Sequence, residues 1–227
     1  MNIAVLLHGS GVYDGTEIQE AVFSLLAIAE AGASYQCIAP NVNQHHVLNH
    51  LDGSEMKESR NVLIESARIA RGDVLDLAEI SVIDYDALVM PGGFGTAKNI
   101  SKWAFEGPDG PILPEVQNLI REFVSQAKPI AALCMSPTTI AKALQGSGFA
   151  AKLSVGSTVE ASPYDIAAIS TGMESIGMQA ESKTVAELSI DQELKIICAP
   201  CYMMEASILE VQANIKQAVD AMFSLMH

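Results

Sequence analysis

Short apolar runs alternate with stretches of helical periodicity along the whole chain. Residues 3–7 predict a buried strand that runs into a glycine-rich turn at 8–15. Thr16, with Gln19 three residues on, reads as a capping box. Apolar Ile18, Ala21, Val22, Leu25, Leu26 and Ala29 then recur at helical spacing, and Gly32 closes the helix. Residues 35–39 predict a second strand stopped by Pro40, and 41–60 a polar excursion from the sheet. Helices are expected over 61–71, 113–127, 138–144 and 205–226, and further buried strands over 86–90, 129–134 and 195–199. Residues 96–113 read as irregular, and 150–190 as short elements of ambiguous type.

Strands alternating with helices argue for parallel pairing with helices on both faces. With no repeat, linker or low-complexity segment, the pattern predicts a single doubly wound α/β domain over 1–227. Ligands of such sheets bind at the carboxyl ends of the strands. Residues 8–17, 91–95, 134–137 and 198–202 all fall at such ends.

Composition narrows the function. Net charge is −14, from 27 acidic and 13 basic side chains, which repels phosphate backbones and anionic membranes. No nucleic-acid or membrane partner is expected. The first residues carry no basic leader, and the four cysteines (37, 134, 198 and 201) read as reduced thiols; together these predict the cytosol.

Cys134 stands where a strand gives way to a helix beginning near Ser136-Pro137. Proline suits an early helical position. Peptide N–H groups at that helix start favour a thiolate, which predicts a depressed pKa; the competing reading is a small buried hydrophobe. Glu17, in the first turn after Thr16, is either a surface acid at a helix N-terminus or a proton carrier beside the sulfur. Gly92-Gly93 after the 86–90 strand lets backbone approach a ligand, so N–H groups of Gly93 and Met135 could hold an oxyanion; a plain tight turn would use the same glycines.

Other motifs weigh less. Gly9, Gly11 and Gly15 come close to a dinucleotide fingerprint, but the spacing is one residue too long and Asp14 and Glu17 would face the pyrophosphate. Cys198 and Cys201 have C-x-x-C spacing without the expected redox context, and they lack a second ligand pair for zinc. His45, His46 and His50 lie in a polar stretch and read as solvated. No metal or cofactor is expected.

Several exact stretches in order carry a stronger signal: GVYDGTEI at 11–18, NHL at 49–51, RNVLIE at 60–65, RIARG at 68–72, PGGFG at 91–95, AKN at 97–99 and PCYM at 200–203. Together they resemble the ElbB family of glyoxalases, also described as isoprenoid-biosynthesis-associated proteins. That family sits in the PfpI-like branch of the class I glutamine amidotransferase-like superfamily. The resemblance implies a flavodoxin-like three-layer sandwich and a homodimer. It implies Cys134 as the nucleophile, Glu17 as the acid hydrogen-bonded to its sulfur, and Gly93 and Met135 as the anion pocket. The implied reaction is cofactor-free conversion of glyoxal, a small dicarbonyl, to glycolate, with protein deglycation as a related activity. Between Cys134 and His227 there is no histidine, so glutamine hydrolysis is not expected and the glyoxalase-like lyase activity is expected to be weak. The alternative is a non-catalytic redox sensor in which Cys134 itself is oxidised.

Overall fold

In the computed structural model, which describes residues 1–226, the chain alternates strand and helix from the start. The elements are β1 (Asn2–Leu6), α1 (Ile18–Glu30), β2 (Ser34–Ala39), α2 (Val62–Ile69), β3 (Val74–Asp76), β4 (Ala87–Met90), α3 (Trp103–Glu106), α4 (Pro114–Ser125) and β5 (Ile130–Leu133). There follow α5 (Ser136–Leu144), β6 (Lys152–Gly156), α6 (Ile166–Ser175), β7 (Gln179–Ser182), β8 (Ser189–Asp191), β9 (Ile196–Ala199) and α7 (Ile208–Ser224). The seven-stranded sheet runs β3-β2-β1-β4-β5-β9-β8, and β6 pairs with β7 apart from it. All pairings in the large sheet are parallel except β8 with β9. This is the doubly wound α/β architecture expected from the alternation, and the flavodoxin-like sandwich that the family resemblance implies.

The central strands are apolar because they are covered on both faces. Every residue of β4, β5 and β9 is buried. From β1 the chain steps one way to β2, and from β4 it steps the other way to β5. Right-handed crossovers therefore send α1 and α4 to opposite faces. On α4, Val116, Leu119, Ile120, Phe123 and Val124 point inward. Burying each such side chain contributes about 1.5–3 kcal/mol. The reversal at β1 and β4 opens a crevice at their carboxyl ends, the usual ligand position in such sheets.

The expected helix over 16–31 forms, but with its face rotated. Glu20, Ala21, Ser24, Ala27 and Ile28 are buried, whereas Ile18, Val22 and Leu26 are 46%, 46% and 45% exposed. The N-cap is Glu17, whose carboxylate accepts from Glu20 N–H, one residue later than the predicted Thr16. Thr16 turns inward instead, and its hydroxyl accepts from His8 N–H at 2.8 Å. The 96–113 segment holds a π-helical turn at Thr96–Ile100 and the short α3, and the 150–190 region resolves into β6, α6, β7 and β8. Edge strand β3 had no clear apolar signature because none of its residues is fully buried.

Candidate active site: a thiol turn ringed by two carboxyls

Cys134 is fixed before any chemistry is considered. Its N–H donates to Ala199 O at 2.9 Å, extending the β5–β9 ladder by one residue. Its φ is +55°, in the left-handed region that non-glycine residues seldom occupy. Such strain costs on the order of 1–2 kcal/mol and persists where the surroundings hold it in place. Here α5 follows directly, with all nine of its residues buried. Ser136 Oγ donates to Pro91 O at 2.7 Å, tying the start of α5 to the end of β4.

The glycine turns are tied to the same place. Glu17 N–H donates to Gly92 O at 2.8 Å, Gly95 N–H to Gly15 O at 2.8 Å, and Phe94 N–H to Val12 O at 2.7 Å. Asn99 Nδ2 bridges the carbonyls of His8 and Asp14 at 2.9 and 2.8 Å. His8 lies buried between Thr16 Oγ1 and Pro91 O, and burial lowers its pKa to about 4, so it is neutral at physiological pH. The carboxyl ends of β1, β4, β5 and β9 thus converge, as the sheet geometry requires.

The sulfur of Cys134 faces the backbone N–H groups of Gly93 and Met135, the two positions expected from the sequence. The carboxyl hydrogen-bonded to it is that of Glu20, not Glu17. Glu20 is fully buried; its Oε2 accepts from Gly92 N–H at 2.8 Å and its Oε1 from Tyr202 N–H at 3.4 Å. Glu17 sits one turn nearer the helix start and lines a cavity with Cys134, Gly93, Met135, Phe94, Tyr164 and Tyr202. One acid was expected beside the sulfur, and the structure places two, Glu20 against it and Glu17 on the cavity wall. The missed residue shows itself in α1 as an acid i+3 from Glu17 among small residues, on the face opposite the Ile18–Val22–Leu26 stripe that set the predicted phase.

The electrostatics differ from the expected depressed thiol. Burial, and then the charge of Glu20, raise the Cys134 pKa well above the ordinary thiol value, against the two N–H groups that lower it. Burial, followed by repulsion from Glu17, pushes Glu20 up to about 8, so this carboxyl holds its proton at neutral pH. At neutral pH Glu20 is therefore uncharged and burial holds the Cys134 proton, with the Glu20 O–H placed to donate to the sulfur; above about 8 the carboxylate's charge adds to the shift. Glu17, only partly buried, is raised by the same desolvation. The cavity is small, about 10 Å³, room for about one water. Cys134 is 6% exposed.

The shift at Glu20 makes stability depend on pH. Its carboxyl titrates near the ordinary 4.5 in the unfolded chain and near 8 in the folded one. Between these values the folded state binds the extra proton, so stability falls as pH rises through that window. Glu20→Gln, neutral and of equal size, should remove this fall. Thermal midpoints at pH 5 and pH 8 for both proteins check it: the wild type should lose on the order of a few kcal/mol more than the variant between the two. Equal losses would mean Glu20 is ionised in the fold.

All four cysteines are free and buried. Among the described residues no group of three His, Cys, Asp or Glu side chains is placed to hold a metal, and no helix is long and apolar enough to cross a membrane. His50 caps the 8–16 turn, accepting from Tyr13 N–H at 3.2 Å, and His45 stacks on Phe105 with ring centroids 4.3 Å apart. His227 lies outside the described residues.

Comparison with known proteins agrees with this geometry. Residues 10–168 match the DJ-1/PfpI family. The chain is 39% identical over 225 residues to the human glutamine amidotransferase-like class 1 domain-containing protein 3, mitochondrial, covering 98% of this chain and 82% of that protein. It is 38% identical over 225 residues to the rat ES1 protein homolog, mitochondrial, covering 98% and 83%, and 28% identical over 209 residues to the zebrafish ES1 protein, mitochondrial, covering 90% and 77%. The cytosolic expectation is thereby overturned, since these curated relatives are named as mitochondrial. Among solved structures, an isoprenoid biosynthesis protein with an amidotransferase-like domain from Ehrlichia chaffeensis superposes with a TM-score of 0.88 at 34% identity, covering 99% of both chains. Glyoxalase III from Candida albicans shares the fold, with a TM-score of 0.62 at 14% identity over 99% of this chain and 97% of that one. Elbow thiol, buried carboxyl, sheet order and these matches agree: the chain belongs to the DJ-1/PfpI family, with a class I glutamine amidotransferase-like fold.

Proposed function

We propose that this protein is a cofactor-independent glyoxalase-like enzyme of the ElbB type, turning glyoxal into glycolate through Cys134. The observation that carries the reading is one thiol held between two backbone N–H donors and a protonated carboxyl, with a second carboxyl lining the same cavity. The family's glyoxalase III member supports it, and the elbow strain at Cys134 supports a functional rather than a packing role.

The steps follow from the geometry. The Cys134 sulfur adds to one aldehyde carbon, and the new oxyanion accepts from Gly93 and Met135 N–H before taking a proton. Glu17, facing the cavity, removes the proton on that carbon to give an enediol and returns it to the neighbouring carbon. The product is a glycolyl thioester on Cys134, which water cleaves to glycolate and free thiol. Glu20 touches the sulfur throughout, supplying its O–H to a thiolate and keeping charge off the site. A cavity with room for one water does not admit glyoxal as it stands, so Tyr164 or Tyr202, which wall it, must swing aside; this predicts slow turnover.

Purified protein incubated with glyoxal should release glycolate with no added cofactor. No acid above the buffer rate at millimolar glyoxal would overturn the reading. The implied homodimer is part of the proposal: Ile18, Val22 and Leu26 form an exposed apolar stripe on α1. Light scattering should give twice the chain mass, and Val22→Glu with Leu26→Glu should give a monomer.

A further inference from the structure

Cys201 is a buried thiol beside the site to which the dicarbonyl reaction gives no task. Leu133 on β5 pairs with Ala199 on β9. Beyond these residues both chains leave the sheet, Cys134 into the elbow and Cys201 into a 3₁₀ turn over Cys201–Met203, and the Cys201 sulfur lies within hydrogen-bond reach of the Cys134 backbone N–H. Both residues hold positive φ, 55° and 48°. Cys201 is fixed from behind by the buried Asn214 on α7, whose Oδ1 accepts its N–H at 3.1 Å. Glu20 reaches both turns, accepting from Gly92 N–H on one side and Tyr202 N–H on the other. Cys198, the other half of the C-x-x-C pair, instead lies against the backbone of Ser154 on β6.

We propose that Cys201 is a resolving thiol for Cys134, so that a hydroperoxide converts the site to a reversible intramolecular disulfide. The Cys134 sulfur attacks the outer peroxide oxygen as its own proton passes to the departing oxygen; the O–O bond breaks, an alcohol or water leaves, and Cys134 becomes a sulfenic acid. The Cys201 sulfur then attacks the Cys134 sulfur. The S–O bond breaks, the leaving hydroxide takes the Glu20 proton to become water, and Glu20 receives the Cys201 proton. One peroxide is reduced and two thiols are oxidised. Cys134 borders the cavity whereas Cys201 is fully buried behind it, so a peroxide meets Cys134 first and Cys201 only answers it.

The step needs a reactive Cys134 but no dicarbonyl turnover, so failure of the glyoxal assay leaves it standing and the reverse holds too. The test is peptide mapping under non-reducing conditions after a molar excess of hydrogen peroxide. Wild type and Cys198→Ala should each lose two hydrogens, yield a peptide pair linked through Cys134 and Cys201, and recover iodoacetamide labelling of Cys134 on adding dithiothreitol. Cys201→Ala should instead gain one and then two oxygens at Cys134 and not recover. Wild-type mapping decides the matter even if Cys201→Ala does not fold: Cys134 sulfinic acid with Cys201 still free, or a Cys198–Cys201 link, would overturn the proposal.

Discussion

Cys134→Ser should reduce glycolate formation from glyoxal to the buffer rate while leaving the thermal midpoint nearly unchanged. The substitution keeps the size of the side chain and the peptide geometry of the elbow, so the fold has no reason to yield. What is lost is the sulfur that the two N–H groups and Glu20 surround. A serine hydroxyl at the same point has no adjacent histidine to take its proton, since His8 is locked between Thr16 and Pro91. The two carboxyls should separate in the same assay. Glu17→Gln removes the proton shuttle and should lower kcat by about 10²–10⁴. It should leave iodoacetamide alkylation of Cys134 largely intact, because that reaction needs no proton moved between carbons. Glu20→Gln should alter the pH at which Cys134 is alkylated as well as kcat, because its carboxyl touches the sulfur directly. Full glycolate production by Cys134→Ser would remove the nucleophile from the mechanism altogether.

The placing of the two carboxyls also marks where the sequence stops being legible. Strands β1, β4, β5 and β9 were visible because burial on both faces leaves them continuously apolar, and the sheet order follows from alternation and handedness. Cys134, Gly93 and Met135 could be read as neighbours because a strand-to-helix turn and a double glycine both fall at the carboxyl ends of strands that such a sheet brings side by side. Glu20 was hidden by the stripe on α1. Ile18, Val22 and Leu26 look like a core face and are exposed, while the true inner face carries Glu20 and Ser24 among small residues. Helical periodicity reports where apolar groups lie, and it misreads a helix whose buried side carries polar groups and whose outer side is apolar. The thiol pKa was misjudged for a related cause. Two N–H donors could be inferred from local sequence, but full burial and the charge of a residue 114 positions away could not.

Gly93→Ala should be the most damaging single-methyl addition at the site. Gly93 has φ +100°, and a Cβ there would lie 2.5 Å from Gly15 O and 2.9 Å from Thr16 C. Those are backbone atoms, and they cannot move aside: Gly15 O accepts from Gly95 N–H and Glu17 N–H donates to Gly92 O, each at 2.8 Å. Backbone strain and overpacking each cost about 1–3 kcal/mol, so the sum is on the order of 4 kcal/mol. At about 2–4 °C per kcal/mol for a chain of this size, the midpoint should fall by roughly 8–16 °C. Gly32→Ala is the control, because Gly32 also has positive φ, +74°, but its added Cβ would meet no atom within 4 Å. It should cost only the strain, about 1–2 kcal/mol. The difference between the two variants isolates the clash that ties the Gly92-Gly93 turn to the start of α1. In whatever Gly93→Ala protein remains folded, that turn must draw back from Glu17 and its N–H from the Cys134 sulfur. Alkylation of Cys134 should then be slower than in Gly32→Ala at every pH. Equal midpoints for the two variants would mean that the turn and the helix start are free to part, and that the cavity they enclose is not built to a fixed shape.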